Sequence, residues 1–473
     1  MARIEIKELN LGGIADSDYL GAKGSVSEAV GLDIHSVAGL MKLNQKLTKE
    51  SGSTIDDFVK AGVSCSDGKQ YFFGSTNGKI WSRNAGVYTL EATAAPAAGA
   101  VGILGAMEYQ GYIYYAMQSR LGRVAVGAAW STRNDSWATF TNTDADFHPM
   151  KIVNLVLYIG DKNYVAQVDA GTFSANALDI KAPLRIKALG RQDTDLLIGT
   201  YVSDNVTETE ILRWNTWSVS YSVADTIPEV GVNAFLETDN VTLINAGTKG
   251  NIYEYDGTRA FLKKTIKGDW SSTNKAYVHP NAAFNFHGMP LFGLSQLTGT
   301  GVNLGVYSYA RTNANYPYVL NLDYPISVRS GSALVLTAIE VGCIIGIGDQ
   351  FLVSWKSGST YGIDKLDLTL KLETGYFITR IASVDRVAQD NYGQVYIPYR
   401  SLHADTSIKV YRKVNHGSMT EFDASTEMVT DTDRMMRHSN IDIGAANTVQ
   451  VKTELTTTSN ETPEVESAIF DVN

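Results

Sequence analysis

Candidate hairpin turns between apolar runs recur along the chain at Asn77-Gly78, Leu121-Gly122, Asp161-Lys162, Thr207-Glu208, Lys249-Gly250, Thr300-Gly301 and Gly358-Ser359. Their spacing of roughly 40 to 60 residues is close to the length of one four-stranded propeller blade with variable loops. Seven such turns predict about seven blades. The runs that flank them, among them "KQYFFGS", "GYIYYAM", "LVLYIG", "LLIGTYV" and "QVYIPYR", carry the aromatic and β-branched residues that suit a pleated, half-buried surface. Helical periodicity is weak almost everywhere. The chain therefore reads as mainly β, a β-propeller of about seven blades with an N-terminal arm and a small C-terminal β domain. The alternative for a chain with these turns is a stack of sandwiches or barrels.

The segments after the turns also resemble one another. "NGKIWSRN", "KGNIYEYDG" and, more loosely, "LGVYSYART" each place an aliphatic residue and then an aromatic one behind a glycine. That is the pattern expected of an inner strand that fills the gap between neighbouring sheets, with Trp81 and Tyr253 as equivalent core aromatics.

The ends depart from the repeat. Residues 1–60 read as an N-terminal arm and closing strand, in which "LDIHSVAGLMKLNQKL" alternates in a half-buried pattern. Residues 61–372 read as the propeller and 373–473 as the C-terminal β domain. The last piece reads as two strands, Val449 to Thr457 and Val465 to Val472, joined by a Ser-Asn-Glu-Thr-Pro turn.

Composition narrows the function classes. Of 473 residues, 42 are glycine, 25 tyrosine and 10 proline, and 19% are charged, which suits many strands joined by glycine-bearing turns. The first twenty residues contain no apolar run of seven, so no secretory signal is expected. No segment approaches 18 uninterrupted apolar residues, so no membrane span is expected. Cys65 and Cys343 alone supply neither a disulfide framework nor a metal knuckle, as in a protein assembled in a reducing cytoplasm. A net charge of −10 opposes binding of free nucleic acid. The lysines of "LKKTIK", Leu262 to Lys267, read as one solvated strand edge.

The search for chemistry returns no catalytic constellation. "FFGSTNGKIWS", Phe72 to Ser82, half resembles the Asp-box of sialidases, S-x-D-x-G-x-x-W, but has asparagine for aspartate and is one residue short. "STRNDSW", Ser131 to Trp137, lacks the glycine. Asn77-Gly78 reads instead as a type I′ hairpin turn. Asp144/Asp146, Asp193/Asp195 and Asp431/Asp433 lack the rest of a calcium loop. The seven histidines form no zinc pattern, with His279/His287 and His403/His416 the closest pairs. "GIGDQ" and "GTGVNLG" lack the lysine and helix of a P-loop, and no G-x-S-x-G occurs. No cofactor, no metal and no enzymatic activity are expected.

The arm "LDIHSVAGLMKL" before the blades and the terminal "ELTTTSNETPEVES" resemble segments of propeller-bearing virion proteins of tailed bacteriophages, which are tail, nozzle or neck components. Nozzle proteins of short-tailed phages are often considerably longer than this chain. The resemblance implies a structural subunit of a homo-oligomeric ring around the DNA exit channel or attached to the tail. Its partners would be other virion proteins, with non-specific passage of DNA, and it would be assembled in the host cytoplasm and located in the virion. The apolar residues of the arm, Ile14, Tyr19, Leu20, Leu32, Ile34 and Leu40, are the candidate subunit-docking residues, and the first 30 residues are expected to order only on docking. Two alternatives stay open: a host-receptor or surface-glycan-binding propeller that stacks aromatics on sugars, and a sialidase-like glycoside hydrolase.

Overall fold

In the computed structural model the protein is nearly all β. The structure describes residues 2–7, 9–22, 24–94, 102–238, 241–268, 270–271, 273–296, 304–328, 338–383, 391–422, 435–444 and 446–472. The chain forms two compact units, residues 48–304 with 335–365, and residues 1–47 with 305–334 and 366–473.

The first of these units is a β-propeller. Five four-stranded antiparallel sheets follow one another: Val59–Ser64, Gln70–Gly74, Lys79–Asn84 and Val87–Thr93; Ile103–Tyr109, Tyr112–Met117, Arg120–Ala125 and Asn134–Thr139; Met150–Val153, Val156–Asp161, Tyr164–Asp169 and Thr172–Asp179; Arg185–Gln192, Asp195–Tyr201, Thr209–Trp214 and Ser222–Ile227; Val232–Glu237, Thr242–Ala246, Asn251–Tyr255 and Ala260–Lys264. The hairpin Ala276–Phe286 and Met289–Gln296 takes the sixth position, and Ile339–Ile347, Gln350–Ser357 and the strand starting at Thr360 take the seventh. The first strand of each sheet packs beside the first strand of the next, and Ile339–Ile347 packs beside Val59–Ser64, so the series closes on itself as a ring of seven.

Closure is made by the chain segment that precedes the first blade. Glu50 and Ser51 donate their backbone N–H groups to the Ile363 carbonyl, and the Ile363 N–H donates to Ser51 Oγ. Glu50 then reaches the first blade, where Arg83 Nε and Nη2 donate to its two carboxylate oxygens at 2.5 and 2.7 Å and Tyr88 donates at 3.1 Å. A two-pronged Arg–carboxylate pair of this kind fixes geometry as well as charge. The core at this seam comprises Ile55, Val59, Phe72, Trp81, Cys343, Ile345, Leu352 and Ile363. Both cysteines are free and buried, and burial pushes the Cys343 thiol up to about 12, which leaves it unreactive.

Five of the predicted turns fall between the second and third strands of their sheets. Thr300-Gly301 lies outside the described residues, and Leu121-Gly122 lies inside the strand Arg120–Ala125. Gly122 is needed there for space rather than for turning: a Cβ would stand 2.3 Å from the Tyr115 ring. Trp81 and Tyr253 are both third in their strands and both buried, but these are the third strands of their sheets, not the innermost ones. The strand Gly305–Ala310, which carries "GVYSYA", belongs to the other unit.

The Asn77-Gly78 turn is not the two-residue type I′ turn expected. Four residues, 75–78, link the strands, and of the last two only Gly78 has positive φ. The loop is held from outside by the buried carboxylate of Asp57, which accepts from the backbone N–H groups of Phe58, Thr76 and Asn77 at 2.7, 3.2 and 2.7 Å. Asp57→Ala is expected to cost about 1–3 kcal/mol, because it leaves N–H donors without their acceptor. Denaturant titration checks this, and a loss under about 0.5 kcal/mol, the range of an indifferent surface change, would contradict the clamp.

The second unit joins the two ends of the chain. Ala2–Lys7 pairs antiparallel with Ser467–Val472, which pairs with Asn391–Ser401, and that strand pairs with Met435–Gly444. In its other sheet Val26–Val30 lies antiparallel to Thr374–Thr379 and parallel to Val319–Pro325, and Thr448–Thr457 lies between Thr374–Thr379 and Thr406–Val414. The division therefore differs from three consecutive segments: the arm and the C-terminal strands share one unit because they are hydrogen-bonded partners. Within the first 30 residues the strands Ala2–Lys7 and Val26–Val30 take their partners from this chain. The two C-terminal strands expected are present as Thr448–Thr457 and Ser467–Val472, and they pair with different neighbours in different sheets.

Candidate functional site

Within the propeller, polar side chains from several blades converge on one mouth of the central channel. Lys60 and Glu340 are second in their innermost strands, Lys187 third and His279 fourth, so all four lie near the N-terminal ends of the strands that line the axis. A cavity of about 20 Å³ is lined by Lys60, Asp146, Phe147, His148, His279 and Asn281 among others. That is room for about one water-sized particle.

The electrostatics are unusual for a buried place. Glu340 accepts from Lys356 Nζ at 3.1 Å and from the Tyr277 hydroxyl at 3.2 Å. Burial opposes its ionisation, but His279 and Lys356 beside it outweigh that and hold the carboxyl at about 2. His279 Nε2 lies 3.8 Å from Glu340 Oε2, beyond hydrogen-bond reach, and has no hydrogen-bond partner. Burial depresses its basicity to about 4, and Lys60 and Lys187 add to that effect. The ring sits edge-on to Phe58 at 5.6 Å and to Tyr277 at 5.1 Å.

Lys187 is half-buried. Its Nζ donates to Asn233 Oδ1 at 2.7 Å and stands 5.5 Å from the Phe147 and Tyr201 ring centres. Asn233 is oriented by its own amide, which donates to Asn245 Oδ1 and the Gly247 carbonyl. Burial lowers Lys187 to about 8. Lys60 Nζ lies 5.5 Å from the Phe58 ring centre, and burial lowers its pKa too. His148 is structural: its ring stacks on Phe140 at 4.3 Å, with Nδ1 at 2.7 Å from the Gly160 carbonyl and Nε2 at 3.2 Å from that of Gln118.

This site was not found from sequence. The available signal was a lone charged or polar residue between apolar ones at the start of four innermost strands, in "VKAGV", "RIKAL", "VNAFL" and "IEVGC". The histidine pair closest in sequence separates: His279 is at the mouth, whereas His287 is exposed in the hairpin turn after its strand. Among the acidic doublets, Asp144 pairs with Lys162, Asp146 with Arg185 and Asp195 with Arg213, while Asp431/Asp433 lies outside the described residues. Among the described residues no group of three or more metal-ligating side chains occurs, and no helix is long and apolar enough to cross a membrane.

The arm residues divide. Ile14, Leu32, Ile34 and Leu40 are buried, so they are core side chains and not a docking surface. Their strands explain it: Leu32 pairs with Leu43, and the Ile14 N–H donates to the Leu320 carbonyl. Tyr19 and Leu20 are exposed, on a loop where Tyr19 OH lies 3.4 Å from His416 Nε2 and Arg380 donates to the Tyr19 carbonyl at 3.3 Å.

A second exposed feature is in the fourth blade. Trp217 and Val219 are 84% and 97% exposed on the loop after Thr209–Trp214, and Val223 is exposed on the next strand. The loop is nevertheless fixed: Asn215 Oδ1 accepts from the Trp217 and Ser218 N–H groups at 3.0 and 2.9 Å, and Trp214 Nε1 donates to the Ser218 carbonyl at 2.8 Å.

No family model and no curated protein matches the chain. Among solved structures the chain is distantly similar to several. One is described as the extracellular domain of a one-component system of B. thetaiotaomicron, at 12% identity and a TM-score of 0.48, over 80% of this chain and 45% of that one. The chain thus spans less than half of that domain's length. Another is virginiamycin B lyase from Staphylococcus aureus, at 15% identity and 0.43, over 70% of this chain and 99% of that one. A third is exo-β-1,3-galactanase from Phanerochaete chrysosporium, at 8% identity and 0.30, over 97% and 100%.

Proposed function

We propose that the protein is a non-enzymatic structural component of a bacteriophage virion, a tail, nozzle or neck subunit that takes its place in a symmetric ring around the DNA exit channel or attached to it. The reading draws on the resemblance carried by "LDIHSVAGLMKL" and "ELTTTSNETPEVES". The observation that carries it is the loop bearing Trp217 and Val219. A tryptophan exposed on a loop whose backbone Asn215 holds gains a large apolar contact on association, which is why such residues anchor interfaces. Tyr19 and Leu20, on their own tethered loop, offer a second contact of the same kind.

The competing reading is a receptor- or glycan-binding propeller, in which the Trp217 face stacks on a sugar ring instead of a neighbouring subunit. Light scattering on the full chain separates the two. Self-association is expected, weakened by about 2 kcal/mol or more in Trp217→Ala with no change in unfolding midpoint. A wild-type monomer that is also absent from purified particles would remove the virion reading. A monomer whose Trp217 fluorescence responds to host glycans would replace it.

A further inference from the structure

We infer that one surface of the propeller, shared by its third, fourth and fifth blades, is where a second copy of this chain docks. The loops that carry Leu155, Trp217 and Val219 on one copy seat on the outer strand Ala260–Lys264 of the next. The inference rests on the reading of the Trp217 loop as a subunit contact and adds the surface that receives it.

Exposed apolar side chains gather there. Of the twelve large apolar side chains exposed among the described residues, six are Leu155, Trp217, Val219, Val223, Phe261 and Leu262. Hydrogen bonds tie their carriers together. Asn154 Nδ2 donates to the Thr194 carbonyl at 2.8 Å and to Thr216 Oγ1 at 3.3 Å, which binds the Leu155 turn of the third blade to the fourth-blade loop just before Trp217. The Ala260 N–H donates to Asp225 Oδ2 at 2.6 Å, which joins the outer strands of the fourth and fifth blades, where Val223 and Phe261 stand. At these exposures the six side chains present on the order of 600 Å² of apolar surface, the upper end of what monomers leave uncovered and most of the about 800 Å² per partner in a standard contact. Leu155 adds a second sign of use. Asn154 and Leu155 form the two-residue turn between the first two strands of the third blade, with φ of +50° and +63°. Such a turn favours glycine, asparagine or aspartate, and a leucine held in it is strained. It is 82% exposed, so burial within its own chain does little to offset that strain.

Charge selects the occupant. The loop half of the surface is acidic at its edge: Asp169 and Asp193 are exposed, and among the described residues neither is in an ion pair. Asp193 directly precedes Thr194. Asp169 lies near the Leu155 turn, since burial first and Asp169 second raise the pKa of the Tyr109 hydroxyl, which donates to the Leu155 carbonyl at 2.6 Å. The strand half is basic. Residues 254–267 hold Arg259, Lys263, Lys264 and Lys267 against Glu254 and Asp256, and Lys263, paired with Glu254 at 2.7 Å, is still 40% exposed. In a chain of net charge −10, a basic apolar strand fits the acidic apolar loops of another copy, whereas two loop halves facing each other would repel. Two unlike patches that fit one another make a head-to-tail contact, the kind from which rings close.

The test is sedimentation velocity on the full chain as wild type, as Asp169→Lys with Asp193→Lys, as Arg259→Glu with Lys263→Glu, and as an equimolar mixture of the two double variants. The wild type is expected to associate. Each double variant alone should associate about tenfold or more weakly, because like charges then face each other, and the mixture should recover the wild-type behaviour. Leu155→Asn should weaken association while leaving the unfolding midpoint of the monomer unchanged or higher, since asparagine tolerates the turn. Double variants that are folded by circular dichroism and associate alone as well as the wild type, or a mixture no tighter than its components, would overturn the inference; Trp217→Ala then still reports whether that loop is a subunit contact. A monomeric wild type would overturn it too, and the presence or absence of the chain in purified particles would decide the virion reading separately.

Discussion

Trp81→Ala is expected to lower the free energy of unfolding by about 3–5 kcal/mol, the range for a large aromatic removed from a core that cannot collapse around the gap. Trp81 is fully buried in the third strand of the first blade. It packs in one cluster with Phe72, Val59 and Ile55 of its own side and with Cys343, Ile345, Leu352 and Ile363 of the seventh blade. The cavity would therefore open at the seam where the ring closes, beside the Glu50–Arg83 bond that ties the last sheet to the first. Reversible urea unfolding measures it. A loss below about 1 kcal/mol would place the indole outside the core and undo the equivalence with Tyr253.

Asp323→Asn is expected to stabilise the protein at alkaline pH. Asp323 is enclosed in the second unit, where Asn321 donates to its carboxylate and the same amide donates to the Leu32 carbonyl at 2.7 Å. Burial raises its pKa to about 7, against the lowering effect of Ser308 and Asn321. Between the ordinary carboxyl value near 3.8 and about 7 the folded chain holds this proton and the unfolded chain does not. Its contribution is fully present below about 4 and is lost as pH rises to about 7, a change of roughly 4 kcal/mol at 1.4 kcal/mol per unit. His35, 3.0 Å from Ser308 Oγ, and His279 are each depressed to about 4 and produce the opposite slope between 4 and 6.5. The difference between wild type and Asp323→Asn isolates the aspartate. Unfolding midpoints of the two should coincide near pH 4 and separate in favour of the variant above pH 7. A constant difference across that range would refute the assignment.

What was legible in the sequence was periodic. Turn residues recur once per blade because each second-to-third-strand hairpin must reverse the chain, and Gly78, Gly250 and Gly358 have positive φ there. The misplaced turn at Gly122 shows the limit of that signal. A glycine that makes room for the Tyr115 ring has the same letter as one that turns the chain. Alternation in the arm gave burial correctly for Leu32, Ile34 and Leu40 but not the partner, since a strand buried against its own chain and one buried against a neighbour carry the same pattern. The channel mouth left no periodic trace at all. Lys60, Lys187, His279 and Glu340 come from four blades, and only ring closure brings them together. The clamp of Asp57 on Thr76 and Asn77 likewise joins groups 19 and 20 residues apart through side-chain geometry that no short motif encodes.

The central claim is that seven sheets surround one axis and that the chain closes them with the segment before the first blade. Electron cryomicroscopy of the full chain addresses it directly. The account predicts a seven-lobed ring viewed down the channel, with the main chain of Glu50 and Ser51 hydrogen-bonded to Ile363 at the seam. A ring with another number of lobes, or β layers stacked without a common axis, would contradict it.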